Sequence, residues 1–250
     1  MDNPFSLSGK TIAITGASSG IGRSTAIQCS LMGATVILLG RNKKRLQETF
    51  ASLHNQQLPH MQFICELTNY EEVAEVINDL PTIQGLVNCA GISFMRPIQM
   101  IRETDYDNVV NTNTKAQVIL TSLLFKRKKI EKNSSIVFVS SLAGLKTFTP
   151  GNSLYSLAKS AITSFAKSCA VEFSSRKIRV NSVNPSMVNT HIKEGLSLSE
   201  EDYKADINKY LLKRYAEPEE VANAIVFLLS DASSFITGQS VVVDGGRSLN

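Results

Sequence analysis

Tyr155 and Lys159 stand four residues apart in the stretch Ser153-Leu-Tyr-Ser-Leu-Ala-Lys159. On a helix that spacing puts a phenol and an ammonium on one face. Upstream, the apolar run Ile136-Val-Phe-Val139 delivers Ser140 and Ser141, and a loop containing Pro150 and Gly151 leads on to the tyrosine. A hydroxyl at a strand end, a phenol and a cation can together move a proton onto a carbonyl oxygen. Free tyrosine has a pKa of about 10, too high for easy proton exchange at neutral pH, and a nearby lysine cation favours the phenolate. Of the six tyrosines, Tyr155 alone has a lysine four residues on.

The elements around this stretch alternate. Thr11–Thr15, Ala34–Leu39, Met61–Glu66, Gly85–Cys89, Ile136–Ser140, Ile178–Val183 and Gln239–Val243 are short, β-rich runs. Helical patterns separate them at Ile21–Met32, after Gly40-Arg41 to about His54, Tyr70–Leu80, about Asp105–Lys128, about Tyr155–Ser174 and Pro218–Leu229. Gly33 sits where a helix C-terminal glycine belongs, and Pro218 with two glutamates suits a first turn. Such alternation predicts an α/β fold: a doubly wound parallel sheet of about seven strands, with helices on both faces and right-handed crossovers. No repeat, linker or low-complexity tract divides the chain. Residues 1–250 are therefore expected to form a single dinucleotide-binding and catalytic domain, with the polar stretch at about 187–215 as a substrate lid.

Bulk properties narrow the class. With 43% hydrophobic and 19% charged residues, the composition is that of an ordinary globular protein. Apolar runs such as Ile225–Leu229 are far shorter than the ~20 residues of a membrane span. Met1-Asp-Asn-Pro-Phe5 has no signal-peptide pattern, so a cytoplasmic location is expected. The net charge of +4 suits an anionic cofactor or substrate and is too small to argue for nucleic acid. Cys29, Cys65, Cys89 and Cys169 are widely spaced and, like the three histidines, make no ligand pattern; no metal site is expected.

Gly16, Gly20 and Gly22 lie between the first strand and the first helix. A turn there can set backbone N–H groups and a helix N-terminus against a pyrophosphate, with glycine where the backbone must come close. At the end of the second strand stands Gly40-Arg41 with no acid, and Asn42, Lys43 and Lys44 follow. An arginine there accommodates a 2′-phosphate, where a carboxylate would bind a 2′-hydroxyl. The cofactor expected is NADP(H), ahead of NAD(H).

Thr15-Gly-Ala-Ser-Ser-Gly-Ile-Gly22 resembles the glycine motif of the short-chain dehydrogenase/reductase family, and the resemblance covers nearly the whole chain. Asn88-Cys-Ala-Gly91 is similar to the family's Asn-Asn-Ala-Gly. Asn113 matches its helix asparagine, Ser141, Tyr155 and Lys159 its serine, tyrosine and lysine, and Pro185 and Thr190 its Pro-Gly-x-x-x-Thr. Thr237–Gly246 resembles its C-terminal strand. Cys89, Ser186 and Glu66 depart from the pattern, replacing an asparagine, a glycine and an aspartate.

The resemblance implies a three-layer Rossmann fold, and Asn113, Ser141, Tyr155 and Lys159 as the catalytic set. Tyr155 is then the acid/base and Lys159 its electrostatic partner and a ribose ligand. Ser141 holds the substrate oxygen, and Asn113 ties a water to Lys159. Ser140 stays a rival for the serine role, because the gap of 14 from Ser141 to Tyr155 is one longer than in many members. Cofactor contacts are implied at Gly16, Ser18, Ser19, Gly20, Ile21, Gly22, Arg41, Asn42, Glu66, Leu67, Asn88, Ala90, Gly91, Tyr155, Lys159, Pro185, Val188 and Thr190.

The expected reaction reduces a ketone to a secondary alcohol by hydride transfer. The resemblance is strongest to 3-oxoacyl-(acyl-carrier-protein) reductases, in which basic residues near the positions of Lys132 and Arg176 face an acidic carrier protein. Sugar, polyol, steroid and xenobiotic carbonyl reductases share the same motifs. A non-catalytic dinucleotide-binding sensor or scaffold is the reading of another class, but it has no need of the four catalytic residues together. Phe94, Met95 and Met187 are candidates to line an apolar pocket. Pairing of the long helices between subunits, as in relatives, makes a homotetramer or homodimer the expected assembly.

Overall fold

The structure, a computed structural model, describes residues 3–190 and 199–249. Seven strands form one parallel sheet in the order β3-β2-β1-β4-β5-β6-β7. They are β1 (Thr11–Thr15), β2 (Thr35–Gly40), β3 (Met61–Ile64), β4 (Ile83–Asn88), β5 (Ile130–Val139), β6 (Arg179–Pro185) and β7 (Ser240–Val243). Helices intervene: α1 (Gly20–Leu31), α2 (Lys43–Ala51), α3 (Tyr70–Asp79), α4 (Glu103–Val110), α5 (Ala116–Lys126), α6 (Ser153–Glu172), α7 (Glu200–Ile207) and α8 (Pro218–Leu229).

Side-chain alternation along the strands builds the layers. In β1, Ile12 and Ile14 join Ala26 and Cys29 of α1, Leu46 of α2 and Val221, Ile225 and Leu228 of α8 on one face. Ala13 turns to the other, with Val73 and Ile77 of α3, Leu120 and Leu124 of α5 and Ile162 and Ala166 of α6. β5 divides likewise, Val137 and Val139 one way and Ile136 and Phe138 the other. The sheet is thus covered on both sides, as the apolar runs predict.

The chain doubles back at β1. β2 pairs on one side of it and β4 on the other, both parallel. In such a sheet the loops leaving these strands diverge and open a crevice at their carboxyl ends. The loop of Gly16 follows β1 and that of Cys89–Gly91 follows β4.

Two elements differ from the sequence reading. The helix expected from about Asp105 to Lys128 is broken by a π turn at Asn111–Lys115, where Ala116 N–H donates to Asn111 O five residues back. β5 starts earlier than Ile136. Ile130 pairs with Ile83, and the chain then bulges before Ser135 pairs with Gly85.

Helix starts follow local chemistry. Asn42 and Asn69 cap α2 and α3 through their side-chain oxygens. Pro218 opens α8, where Glu220 accepts from Glu217 N–H at 2.8 Å. Among the described residues no helix is long and apolar enough to cross a membrane.

Candidate active site

Thr15, fully buried at the end of β1, joins the two loops of the crevice. Its Oγ1 accepts from Cys89 N–H at 2.9 Å and Ala90 N–H at 3.0 Å. The loops touch so closely that a Cβ on Gly16 would fall 2.9 Å from Ala90 Cα, and one on Gly22 2.3 Å from Gly16 O. Gly16 and Gly20 also have positive φ, +67° and +52°, which a side chain would strain. Ser19 is the N-cap of α1, its side chain makes no capping bond, and the first turn holds no acidic residue. An uncapped helix start facing a glycine turn fits an anion such as a pyrophosphate. Ser18 lies against Gly40, and the Thr190 methyl lies over Gly20, so the strand-end segments after β2 and β6 close in on the same turn.

The proton-transfer residues converge beside this cradle. Ser141 follows β5 and its Oγ accepts from Ala143 N–H at 3.2 Å, which turns the chain. Tyr155 and Lys159 lie on α6, with the ammonium 5.7 Å from the Tyr155 ring centroid. Burial pushes the Tyr155 phenol above its usual pKa, while the neighbouring Ser141 side chain pulls it back. The Lys159 ammonium donates to Val139 O at 2.9 Å, and burial lowers its pKa to about 8. Desolvation of the phenol prevails over the expected effect of the lysine, so the tyrosine pKa stands above its usual value and not below it. Cys89 neighbours Lys159 electrostatically, but burial holds its thiol at about 12, which leaves it a neutral group.

Ser140 turns the other way. It is buried and its Oγ donates to Lys159 O at 2.8 Å, beside Thr163 Oγ1 at 2.8 Å. Ser141 is the serine that the fold brings to Tyr155.

Asn113 is fully buried, and its carboxamide pairs with both backbone groups of Ile92. Oδ1 accepts from Ile92 N–H at 2.8 Å and Nδ2 donates to Ile92 O at 3.0 Å. The carboxamide is thus engaged with the loop after β4. It holds the π turn against the loop after β4, and π turns leave a carbonyl without its i+4 partner. A Cβ on Gly91 would meet Asn113 Oδ1 at 2.6 Å and Lys159 Nζ at 3.4 Å, so the two residues share this corner.

The outer cofactor positions are spread along the same crevice. Arg41 Nη1 lies 3.2 Å from Glu66 Oε2. The Asn42 side chain is engaged as the α2 cap, accepting from Arg45 N–H at 3.0 Å. Leu67 packs against the α3 side of the core. Asn88 is buried and donates to Thr121 Oγ1 at 3.2 Å. Pro185 ends β6, and Val188 is buried and bridges to Ala216.

Of the lid stretch, residues 191–198 lie outside the described residues. Its far end is largely exposed but anchored at two tyrosines. Tyr210 and Tyr215 are 2% and 1% exposed; Met187 N–H donates to the Tyr210 hydroxyl, and Tyr215 donates to Asp206. Phe94 packs with the Val109, Leu154 and Ala158 cluster, and Met95 is exposed. Cys29, Cys65 and Cys169 are buried and Cys89 partly so; among the described residues no acidic, histidine or cysteine cluster could hold a metal.

Thr15, Gln117 and Thr163 escaped the sequence reading. Gln117 Nε2 donates to Ala90 O at 2.9 Å, and Thr163 Oγ1 to Lys159 O at 3.0 Å. The one available signal was Thr15, a hydroxyl closing an otherwise apolar buried strand.

Residues 16–248 match the family described as Enoyl-(Acyl carrier protein) reductase. The 3-oxoacyl-[acyl-carrier-protein] reductase FabG of Rickettsia felis is 35% identical over 240 residues, covering 96% of this chain and 97% of that protein. An Agrobacterium tumefaciens structure, provisionally named a gluconate dehydrogenase, superposes with a TM-score of 0.92 at 26% identity, over 99% of both chains. Another, from Beutenbergia cavernae, is provisionally named an NAD(P)-dependent gluconate 5-dehydrogenase and holds NADP at low occupancy. It has a TM-score of 0.88 at 27% identity, over 99% of this chain and 100% of its own. With this match across sequence and fold, the chain belongs to the short-chain dehydrogenase/reductase family of oxidoreductases.

Proposed function

We propose that this protein reduces a ketone to a secondary alcohol with NADPH, the ketone being a 3-oxoacyl thioester. The observation that carries the reaction is the placement of the Tyr155 hydroxyl beside Ser141, with the buried Lys159 ammonium 5.7 Å from the Tyr155 ring, next to the glycine cradle. The FabG relative, similar over nearly the full chain, supports the thioester.

A bound nicotinamide dinucleotide supplies the hydride. The chain's residues handle the oxygen. Ser141 donates a hydrogen bond to the carbonyl oxygen and fixes it near Tyr155. As negative charge develops there, the Tyr155 hydroxyl gives up its proton to it, so that hydride and proton together complete the alcohol. The phenolate left behind is stabilised by the Lys159 cation, which would also hold the ribose of the dinucleotide. Asn113 contributes by position, clamping Ile92 so that the corner around Gly91 and Lys159 keeps its shape.

At the adenosine end, Arg41 with Lys43 and Lys44 concentrates cations where α2 begins, and no acid accompanies them in its first turn. Cations at the positive end of a helix dipole repel it, and a phosphate there relieves both. This supports NADP(H) over NAD(H).

Neither basic residue named for a carrier protein stands beside the reacting groups. Lys132 is exposed, but Arg176 stacks 5.0 Å from the Phe125 ring and donates to Ile130 O. Both lie near the amino ends of the strands. The part of α6 that follows Tyr155, residues 156–172 and about 26 Å of helix, lies between it and Arg176. Free thioesters such as acetoacetyl-CoA are accordingly the first substrates to try.

The test is NADPH oxidation with acetoacetyl thioesters and a panel of simple ketones, comparing wild type with Tyr155→Phe. Turnover that survives in the variant would refute the assigned acid. Intact NADPH binding with no turnover on any carbonyl would favour a sensor.

A further inference from the structure

Arg41 and Glu66 leave neighbouring strands at the same level. Gly40 pairs with Ile64, and Cys65 N–H donates to Gly40 O at 3.1 Å. Arg41, the first residue after β2, then faces Glu66, the second after β3, across the crevice rim, and the guanidinium reaches the carboxylate at 3.2 Å. The carboxylate is the fixed member. Its Oε1 accepts from Thr68 N–H at 3.2 Å and Thr68 Oγ1 at 3.0 Å. The Glu66 N–H donates to Glu72 Oε2 at 2.9 Å, and Glu72 in turn is held by Asn69. Arg41, with a side chain 70% exposed against 37% for Glu66, is the less constrained member. Partial burial raises the Glu66 pKa, but the bonds from Thr68 and Arg41 outweigh it and keep the group an anion at neutral pH.

We propose that Glu66 is a specificity-determining residue, a built-in counter-ion that engages Arg41 and so moderates the protein's preference for a 2′-phosphate over a 2′-hydroxyl. The inference rests on the reading of Arg41 as the 2′-phosphate contact. A phosphate arriving there must draw its donors from a guanidinium that the carboxylate already compensates. A 2′-hydroxyl makes no demand on the charge of that guanidinium and escapes the penalty. An acid one strand away from the usual ribose-binding position therefore acts on the same choice, through Arg41.

Calorimetric titration with 2′,5′-ADP and 5′-AMP isolates this end of the site from catalysis. Glu66→Gln keeps the shape and removes the charge. It is expected to tighten 2′,5′-ADP by about fivefold, the scale of an exposed ion pair, and to leave 5′-AMP within about twofold. The gain should vanish in an Arg41→Ala background, because the effect runs through the pair. It should also shrink at high salt.

Equal weakening of both ligands by Glu66→Gln, a gain that persists without Arg41, or no change while Arg41→Ala weakens 2′,5′-ADP would each overturn the proposal alone. Unchanged 2′,5′-ADP affinity in Arg41→Ala would remove the reading of Arg41 and the proposal with it.

Discussion

Ser140 donates to the carbonyl oxygen of Lys159 at 2.8 Å, while Lys159 donates through its ammonium to Val139 O at 2.9 Å. The end of β5 and the middle of α6 thus hold each other from both sides, and the next residue, Ser141, is left to face Tyr155. The two serines should separate on mutation. Ser141→Ala removes a donor at the reacting oxygen and should lower kcat by roughly a hundredfold or more with little change in melting temperature. Ser140→Ala removes a buried bond and should cost about 1–3 kcal/mol of stability, with the smaller loss of turnover. Steady-state rates and thermal melts on both variants check this. Abolished turnover in a well-folded Ser140→Ala would reverse the assignment.

The pH profile should carry the signature of Lys159. Its folded pKa of about 8 lies below the ordinary 10.5, so the cation exists in the free protein only below about pH 8. Carbonyl reduction needs that cation against the phenolate, so kcat/KM should fall as pH rises through about 8. For stability the sign is separate. Between 8 and 10.5 the folded state binds fewer protons than the unfolded state, so this residue makes stability rise with pH across that window. Lys159→Arg keeps the charge and should move the kinetic fall to higher pH. A profile unchanged by that substitution would show that another group titrates.

Gly144 should be as critical as any side chain in the site. A Cβ there would lie 2.6 Å from the Lys159 carbonyl carbon and 2.7 Å from Ser160 N, both backbone atoms that cannot swing aside. Gly144→Ala must push the Ser141 loop away from α6. The expected cost is about 1–3 kcal/mol of stability, with kcat falling while cofactor affinity changes little. Thermal melts and NADPH titration separate the two effects.

The main line of the fold was legible because its signals are local. Continuous apolar runs gave buried parallel strands, the glycines after β1 marked the crevice, and the four-residue spacing put Tyr155 and Lys159 on one helix face. What the sequence hid depends on contacts between distant segments. Nothing in Val109-Val-Asn-Thr-Asn113 shows that the carboxamide pairs with Ile92 and accompanies a π turn. Nor does polarity reveal that Tyr210 and Tyr215 anchor the far end of the expected lid in the core. Ser140 and Ser141 are chemically identical, and only strand alternation with the position of α6 separates them. Arg41 and Glu66 are 25 residues apart and meet because β2 and β3 are neighbours in register.

Asp105 offers a test of the loop that flanks the site without touching the reacting groups. It is 6% exposed, and its carboxylate accepts from Arg102 through the backbone at 2.9 Å and the guanidinium at 3.0 and 3.1 Å, and from Arg96 at 2.7 Å. Arg96 N–H in turn donates to Gly151 O at 2.6 Å, joining the loop after β4 to the loop before Tyr155. The hydrogen bonds from Arg102, with help from Arg96, pull the Asp105 pKa from 3.8 to about 2. A depressed carboxylate stabilises the fold above its unfolded value and loses that contribution as pH falls from 3.8 towards 2. Asp105→Asn should therefore lower the melting temperature at neutral pH, and the gap to wild type should narrow across that acid range. Loosening the anchor should also raise KM for the carbonyl and leave NADPH affinity unchanged, because Arg96 and Gly151 frame the approach to Tyr155 from outside the glycine cradle. Equal losses in both affinities would mean that the loop supports the whole crevice and not the substrate side alone.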